Sequence, residues 1–145
     1  MRLTQFTDYS LRVLIYLGLR TNERVTIDEL TNAYDVSRHH MRSVVHKLST
    51  LGYVDSIQGK GGGLSLALDA SEISVRNVIE NTESDFYLVD CFNPEAHACP
   101  IEPMCILKQA LSRASHSFLE ALDQYTIEDL IKNKKGQLRQ LLEIT

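Results

Sequence analysis

Two short helical segments joined by a tight connection constrain this chain more than any other feature of its sequence. Thr26 and Ser37 are residue types that cap helix N-termini, and each precedes apolar residues at helical spacing. Residues 33–36 connect the two segments, and Gly52 stops the second one. A longer amphipathic pattern covers residues 4–20. We therefore predict three consecutive helices in the N-terminal part of the chain.

A glycine-rich hairpin follows these helices. Residues 53–57 and 64–68 are predicted strands, and the second alternates between apolar and polar residues. Four of the seven glycines of the chain lie between the two strands, together with Lys60. Helices separated by a tight turn and followed by a hairpin form a winged helix-turn-helix pattern. We predict a mainly α fold in which residues 1–82 are a winged helix-turn-helix domain with a β-hairpin wing.

The outer face of the third predicted helix points to DNA. Its buried stripe consists of Met41, Val44, Val45 and Leu48. The opposite face is rich in hydrogen-bond donors, and no acidic residue occurs between Asp35 and Asp55. We predict that this helix enters the major groove and that the wing lies along the backbone, a generic helical domain being the alternative. The candidate DNA contacts are His39, Arg42 and Ser43 at base edges, Arg38, Lys47 and Lys60 at phosphates, and Ser37, His40 and Gly61 nearby.

A second unusual feature is that all three cysteines and all three prolines of the chain lie within residues 91–105. The spacing C-x7-C-x5-C lacks the C-x2-C pair of most structural zinc sites and differs from the common ferredoxin spacings. The prolines restrict the loop, which lowers the entropy cost of bringing the thiolates together. We predict Cys91, Cys99 and Cys105 as ligands of a metal or iron–sulfur cluster. Redox-active thiols and inert packing cysteines are the alternatives, and His97 or a carboxylate is a candidate fourth ligand.

Composition excludes several classes of protein. The 145 residues carry a formal net charge of −4, and the sequence shows no signal-peptide pattern and no apolar stretch of membrane-spanning length. We expect a soluble protein of the reducing cytoplasm. Residues 1–63 contain eight Lys/Arg and six Asp/Glu, whereas residues 64–145 contain seven and thirteen. The chain has no phosphate-binding glycine loop and no Ser/His/Asp arrangement, so we do not expect an enzyme.

The C-terminal part of the chain contains a long predicted helix over residues 104–123. Its near-heptad apolar seam consists of Leu107, Leu111, Ala114, Phe118 and Leu122. In so short a chain this seam predicts a homodimer interface more than an internal core. Thr126 opens a last short helix, which the lysines and Gly136 at residues 132–136 are expected to end. We divide the chain into the DNA-binding domain at 1–82, a cluster loop at 83–106, and dimerisation and C-terminal helices at 104–145.

Several of these motifs together resemble the winged-helix iron–sulfur transcriptional repressor family. The resemblance covers nearly the whole chain, and in the C-terminal half it is to the nitric-oxide-sensing members. The motifs that carry it are F-T-D-Y-S-L-R at 6–12, V-S-R at 36–38, G-Y-V at 52–54, G-K-G-G-G at 59–63 and P-x-C-x-L-K-Q-A-L at 103–111.

The resemblance implies a homodimer with an iron–sulfur cluster in each subunit, of the 4Fe–4S type or, alternatively, 2Fe–2S. The three cysteine ligands of the family match the three cysteines of this chain. An acidic fourth ligand near the N-terminus of the partner subunit matches Asp8. Other members of the family use a histidine three residues after the third cysteine, where this chain has Lys108. Without the resemblance, Asp8 predicts only an exposed ion pair with Arg12, four residues later.

The function expected from these observations is that of a transcriptional repressor. The resemblance implies that the dimer binds a palindromic operator and that nitric oxide acts on the cluster and relieves repression. An iron or iron–sulfur status regulator on the same scaffold and a metal-free thiol redox sensor are alternatives. A small iron–sulfur electron carrier or a zinc-stabilised interaction module is an alternative from a different class.

Overall fold

Three helices, each capped by a hydroxyl side chain, open the fold. The computed structural model describes residues 2–96 and 99–144, so His97 lies outside the described residues. Helices α1 (Gln5–Leu19), α2 (Ile27–Tyr34) and α3 (Arg38–Thr50) begin after Thr4, Thr26 and Ser37, whose hydroxyl oxygens each accept a backbone N–H of the first turn. Both caps predicted for the helix-turn-helix unit are confirmed.

The turn between α2 and α3 occupies only three residues. Asp35 adopts a left-handed conformation with φ of 50°, and its backbone N–H donates to the carbonyl of Thr31. The chain thereby leaves α2 and reaches Ser37, the cap of α3, within a single turn. The apolar stripe predicted for α3 is fully buried, so the donor-rich face points away from the core.

The wing is a two-stranded antiparallel sheet of β1 (Val54–Ile57) and β2 (Gly63–Leu66), in the register Val54 to Leu66 and Ile57 to Gly63. The backbone of Leu64 also exchanges two hydrogen bonds with Val25, of 2.8 and 2.9 Å, just before α2. The base of the hairpin is therefore fixed to the helix-turn-helix unit.

The C-terminal half adds four helices: α4 (Val75–Thr82), α5 (Ile106–Asp123), α6 (Ile127–Ile131) and α7 (Lys135–Leu141). Thr126 forms the predicted capping box at the start of α6. This helix ends at Ile131, directly before residues 132–136, as predicted, but it is not the last one, because α7 follows and Gly136 lies inside it. Apolar residues after this glycine explain the helix, since Leu138 and Leu142 pack against the core and Ile144 is buried in it.

Helix α1 lies at the centre of this arrangement. It packs against α3, α4, α6, α7 and β2, and five of its apolar side chains are at most 4% exposed. Helix α5, in contrast, packs mainly on α4. Within residues 2–96 and 99–144, every helix is too short or too polar to span a bilayer.

The tip of the wing depends on Gly62. A Cβ atom at this position would lie 2.2 Å from the carbonyl oxygen of Ile57, a backbone atom that cannot move aside cheaply. We expect Gly62→Ala to open the β1–β2 hairpin and to speed amide exchange across it about tenfold or more, because such overpacking costs about 1–3 kcal/mol. Hydrogen exchange measured by NMR tests this.

Gly136→Ala is the matched control, because a Cβ atom there has no neighbour within 4 Å. Alanine is favoured over glycine inside a helix by roughly 0.5–1 kcal/mol, so this variant should be at least as stable as the wild type. Unchanged protection of the wing in Gly62→Ala would contradict the prediction.

Candidate functional site: a nucleic-acid interface and a cysteine segment

The predicted DNA contacts all lie on exposed residues of two neighbouring structures, the face of α3 and the tip of the wing. Those on or at the start of α3 are Ser37, Arg38, His39, His40, Arg42, Ser43 and Lys47, and those at the wing tip are Lys60 and Gly61. Helix α3 contains no acidic residue along its whole length. The exposed face of α3 and the wing tip therefore present hydrogen-bond donors and positive charge, the groups that bind DNA phosphates and base edges.

Two hydroxyl groups of this face already have partners within the helix. The hydroxyl of Ser37 accepts the backbone N–H of His40 at 3.3 Å, so its side chain serves as the N-cap. The hydroxyl of Ser43 donates to the carbonyl of His39 at 3.3 Å. Its oxygen still has lone pairs to offer, so Ser43 can act toward DNA as an acceptor without breaking that bond.

One contact across the helix-turn-helix unit was not foreseen. The guanidinium of Arg38, the first residue of α3, donates to the carboxylate of Asp28 in α2 at 3.0 Å. Both side chains are more than half exposed, at 56% and 57%. An acid therefore borders the otherwise acid-free face and competes with any phosphate for Arg38. Spacing rules within one helix do not reach across a turn, so the sequence pattern alone does not predict this contact.

A groove of about 250 Å³ separates the first turns of α1 from α3. Phe6 and Tyr9 of α1 line one side, and His40, Ser43 and Val44 of α3 line the other. His40 and Ser43, two of the predicted DNA contacts, therefore border a gap whose opposite wall is α1. A displacement of the start of α1 changes the surroundings of the recognition helix directly.

Asp8 lies on the exposed side of this same turn of α1. Its carboxylate forms an ion pair of 2.8 Å with Arg12, and both side chains are nearly half exposed. The guanidinium of Arg12 also lies over the rings of Tyr9 and Tyr34, at 5.8 and 5.7 Å from their centroids. The i, i+4 pair that the sequence predicts is confirmed, and ligation by Asp8 stays a prediction.

Tyr34 ties this cluster to the helix-turn-helix unit. Its hydroxyl donates to the carbonyl of Arg12 at 3.0 Å, and this hydrogen bond links the end of α2 to the middle of α1. Burial raises the pKa of Tyr34 to about 12, despite the opposing effect of the positive charge of Arg12. The phenol therefore keeps its proton, and its hydrogen bond, throughout the physiological pH range.

The cysteine segment joins α4 to α5. Cys91 lies in a short 3₁₀ turn, Asp90–Phe92, and Cys105 is the N-cap of α5, where its Sγ accepts the backbone N–H of Lys108 at 3.3 Å. The carbonyl of Cys99 accepts the N–H of Glu102 at 3.0 Å. All three cysteines, each among the described residues, are unpaired and partly buried.

Lys108 brings a positive charge to this segment. Its ammonium pairs with Glu102, and this hydrogen bond is the main reason that the pKa of Lys108 is raised. The thiols of Cys91 and Cys105 raise it further, so both sulfur atoms lie within electrostatic range of the same ammonium group.

The three cysteines have the chemistry that an iron–sulfur cluster needs, but the structure does not gather their side chains around one point. Three unpaired thiols in one proline-containing segment supply soft ligands of the kind that hold iron–sulfur clusters. Among residues 2–96 and 99–144, however, no three His, Cys, Asp or Glu side chains are gathered closely enough to hold a metal ion. Bringing Cys91, Cys99 and Cys105 onto one cluster therefore requires a movement of the described parts of this segment.

A helix-turn-helix unit with an acid-free recognition helix and a fixed wing defines a winged-helix DNA-binding protein. Residues 3–133 match the family described as Rrf2, iron-dependent transcriptional regulator. Two relatives are named HTH-type transcriptional regulator NsrR. The protein of Bacillus licheniformis is 44% identical to this chain, over 98% of this chain and 99% of its own length. The protein of Bacillus subtilis is 42% identical, over 97% of this chain and 97% of its own length.

Solved structures show the same fold. IscR of T. potens superposes with a TM-score of 0.75 at 18% identity, over 94% of this chain and 90% of that one. CymR, the global cysteine regulator of B. subtilis, superposes with a TM-score of 0.71 at 23% identity, over 90% of this chain and 95% of that one.

The chain belongs to the Rrf2 family, as a transcriptional regulator of the NsrR type. These relatives confirm the mainly α winged-helix fold, the resemblance seen in the sequence, and the prediction of a DNA-binding repressor rather than an enzyme. They give no support to an electron carrier or a zinc-stabilised interaction module.

The ion pair between Asp28 and Arg38 leads to a prediction about DNA affinity. We expect Asp28→Asn to strengthen binding to duplex DNA about two- to fivefold, because an exposed ion pair worth about 0.2–1 kcal/mol no longer competes with phosphate. Fluorescence anisotropy over a range of salt concentrations measures this.

Arg38→Ala and the double variant are the controls for this prediction. Arg38→Ala should weaken binding and lower the salt slope by about one. In the double variant the gain from Asp28→Asn should disappear. Weaker binding by Asp28→Asn alone would show instead that Asp28 orients Arg38 for DNA.

Proposed function

We propose that the chain is a cytoplasmic homodimeric repressor whose DNA affinity is set by an iron–sulfur cluster and relieved by nitric oxide. The observation that carries this proposal is the set of three unpaired, partly buried thiols between α4 and α5. The description of the family as iron-dependent and the naming of the relatives support it. In this proposal, residues 1–82 bind DNA, residues 83–106 hold the cluster and residues 104–145 form the dimer.

Cys91, Cys99 and Cys105 are the proposed cluster ligands, and Asp8 of the partner subunit is the proposed fourth one. When bound, a cluster of the 4Fe–4S type, or of the 2Fe–2S type, supplies iron that nitric oxide can attack. Asp8 is nearly half exposed and pairs with Arg12 at the surface, so its carboxylate is accessible to another chain. Lys108 holds the histidine position of other family members, but its ammonium has no lone pair with which to bind a metal.

The residues of α1 provide a path from this site to DNA. Asp8 and Arg12 lie on the exposed side of the helix, while Phe6 and Tyr9 border the groove against α3. If Asp8 leaves Arg12 to bind the cluster of the partner subunit, or returns to Arg12, the surroundings of the first turns of α1 change. Because α1 packs against α3, such a change alters how the recognition helix is presented.

The exposed apolar surface at the start of α5 supports a dimer. Met104, Ile106 and Leu107 are 86%, 76% and 65% exposed, a large apolar area for the surface of a monomer. Leu107 continues into the heptad seam with Leu111 and Phe118, which are partly buried. A two-fold dimer carries two copies of α3, which suits a palindromic operator with two half-sites.

The cluster proposal predicts a coloured protein after anaerobic purification. We expect visible absorption from iron and sulfide, loss of this absorption in the Cys91→Ser, Cys99→Ser and Cys105→Ser variants, and weaker binding to duplex DNA after titration with nitric oxide. Absorption spectroscopy with iron and sulfide assays, followed by anisotropy, measures these quantities.

Asp8→Asn separates the fourth ligand from the three cysteines. An altered spectrum and a changed response to nitric oxide are expected if Asp8 binds the cluster, whereas a wild-type spectrum and response would remove it from the ligand set. DNA affinity that is unchanged by nitric oxide but lost on iron chelation would contradict the proposed signal and indicate an iron-status regulator.

The proposed dimer predicts a mass in solution of twice the 16.4 kDa of one chain. Leu107→Glu should give a folded monomer, because it places a charge in the proposed interface at a residue that is 65% exposed in one subunit. Leu141→Glu is the matched control, since Leu141 is 80% exposed on α7, away from α5, and should leave the dimer intact. Sedimentation velocity measures both, and a Leu107→Glu dimer would contradict the proposed interface.

A metal-free thiol redox sensor is the second candidate. The observation that favours it is that Cys91 and Cys105, both unpaired, each contribute to raising the pKa of Lys108, so both lie near one ammonium group and are candidates for a disulfide. This candidate predicts a colourless anaerobic protein and a disulfide that forms with a mild oxidant, which non-reducing mass spectrometry would detect.

A further inference from the structure

A polar cluster joins the first turn of α1 to the end of α4. The backbone N–H and the hydroxyl of Thr4 both donate to the carboxylate of Glu83, at 2.8 and 3.0 Å. One turn further along α1, the hydroxyl of Thr7 lies 3.0 Å from that of Thr82. Thr7 is fully buried, so this contact is shielded from water. These four residues connect the start of α1 to the end of α4, which are far apart in sequence.

Glu83 is suited to hold a helix N-terminus. The first N–H groups of a helix lack partners within it, and the helix dipole favours a negative charge at that end. Thr4 is the N-cap of α1, and its hydroxyl also accepts the N–H of Thr7 at 3.2 Å. The carboxylate of Glu83 therefore orients the cap residue, which in turn orients the first turn of α1.

Glu83 is also the residue at which α4 ends and the cysteine segment begins. Its own N–H donates to the carbonyl of Ile79 and closes α4. Beyond it, residues 84–88 run beside the N-terminus of the chain and Phe118 of α5, around a groove of about 340 Å³. This groove leaves room for the segment to shift, whereas Glu83 remains attached to α4 on one side and to α1 on the other.

We propose that Glu83 is a positioning residue that transmits the state of the cysteine segment to the recognition helix through the first turn of α1. The inference rests on the proposed function, since it requires that the segment controls DNA affinity. The same turn of α1 that Glu83 holds contains Phe6, which lines the groove against α3, and Asp8, whose N–H donates to the carbonyl of Thr4 at 3.0 Å. Loss of the Thr4–Glu83 hydrogen bonds therefore frees the first turn of α1, which borders the recognition helix across this groove.

DNA affinity in two states of the full-length protein tests the proposal. The probe is a duplex selected for binding to the wild-type protein, and the quantity is the ratio of affinities of the cluster-loaded and cluster-free forms. We expect a wild-type ratio of about fivefold or more, typical of allosteric coupling. Glu83→Ala should reduce it to below about twofold, whereas Glu83→Gln, which keeps an acceptor oxygen for Thr4, should retain most of it.

Glu80→Ala is the matched control, because Glu80 lies on the same helix and its carboxylate pairs with Arg76, one turn earlier in α4. It should leave the ratio unchanged. A wild-type ratio near one would contradict the proposed function and the inference with it. A wild-type ratio retained in Glu83→Ala would overturn the role of Glu83 alone.

Hydrogen exchange of the cluster-free protein provides a second readout that does not depend on the cluster. In Glu83→Ala we expect faster exchange both in the first turn of α1 and in residues 39–44 of α3. Faster exchange confined to α1 would show that Glu83 is only a local helix cap and would overturn the proposal.

Discussion

The burial of α1 is the constraint on which the rest of the structure depends. Its apolar residues fill the centre of the core, and the recognition helix, strand β2 of the wing, α4, α6 and α7 pack around it. Such a helix cannot move without disturbing its neighbours, because protein interiors are close-packed. A signal that reaches α1 therefore reaches the DNA-reading surface without a separate relay.

The two ends of α1 are held by residues that come from the distant C-terminal half. Glu83 binds the N-cap residue Thr4, and the guanidinium of Arg139 donates to the carbonyl of Leu19 at the other end, at 2.9 Å. Both contacts satisfy backbone groups that a helix leaves open at its termini. The N-terminal and C-terminal halves of the chain consequently share one element rather than meeting at a separable interface.

What was predictable from the sequence follows from local physical rules. Thr26 and Ser37 reveal caps because a hydroxyl at that position satisfies nearby N–H groups, and the stripe of α3 is visible because burial repeats at the helical period. Helix α7 was missed because Gly136 signals an end, while the packing that overrides it involves residues far away in the chain. The Asp28–Arg38 and Glu83–Thr4 contacts were invisible for the same reason, since no spacing rule joins residues across a fold. The cysteines were identified from their clustering, whereas their convergence on one cluster remains a prediction.

The uneven distribution of charge has a consequence for how the protein meets DNA. Residues 1–63 carry a formal charge of +2 and residues 64–145 one of −6, so the excess of positive charge belongs to the part of the chain that contains α3 and the wing tip. In the field of a polyanion, positive charge on one surface favours collisions that present this surface, whereas the excess of negative charge elsewhere disfavours the others. The rate of association with DNA therefore falls as salt screens these charges, even where the final contacts are unchanged.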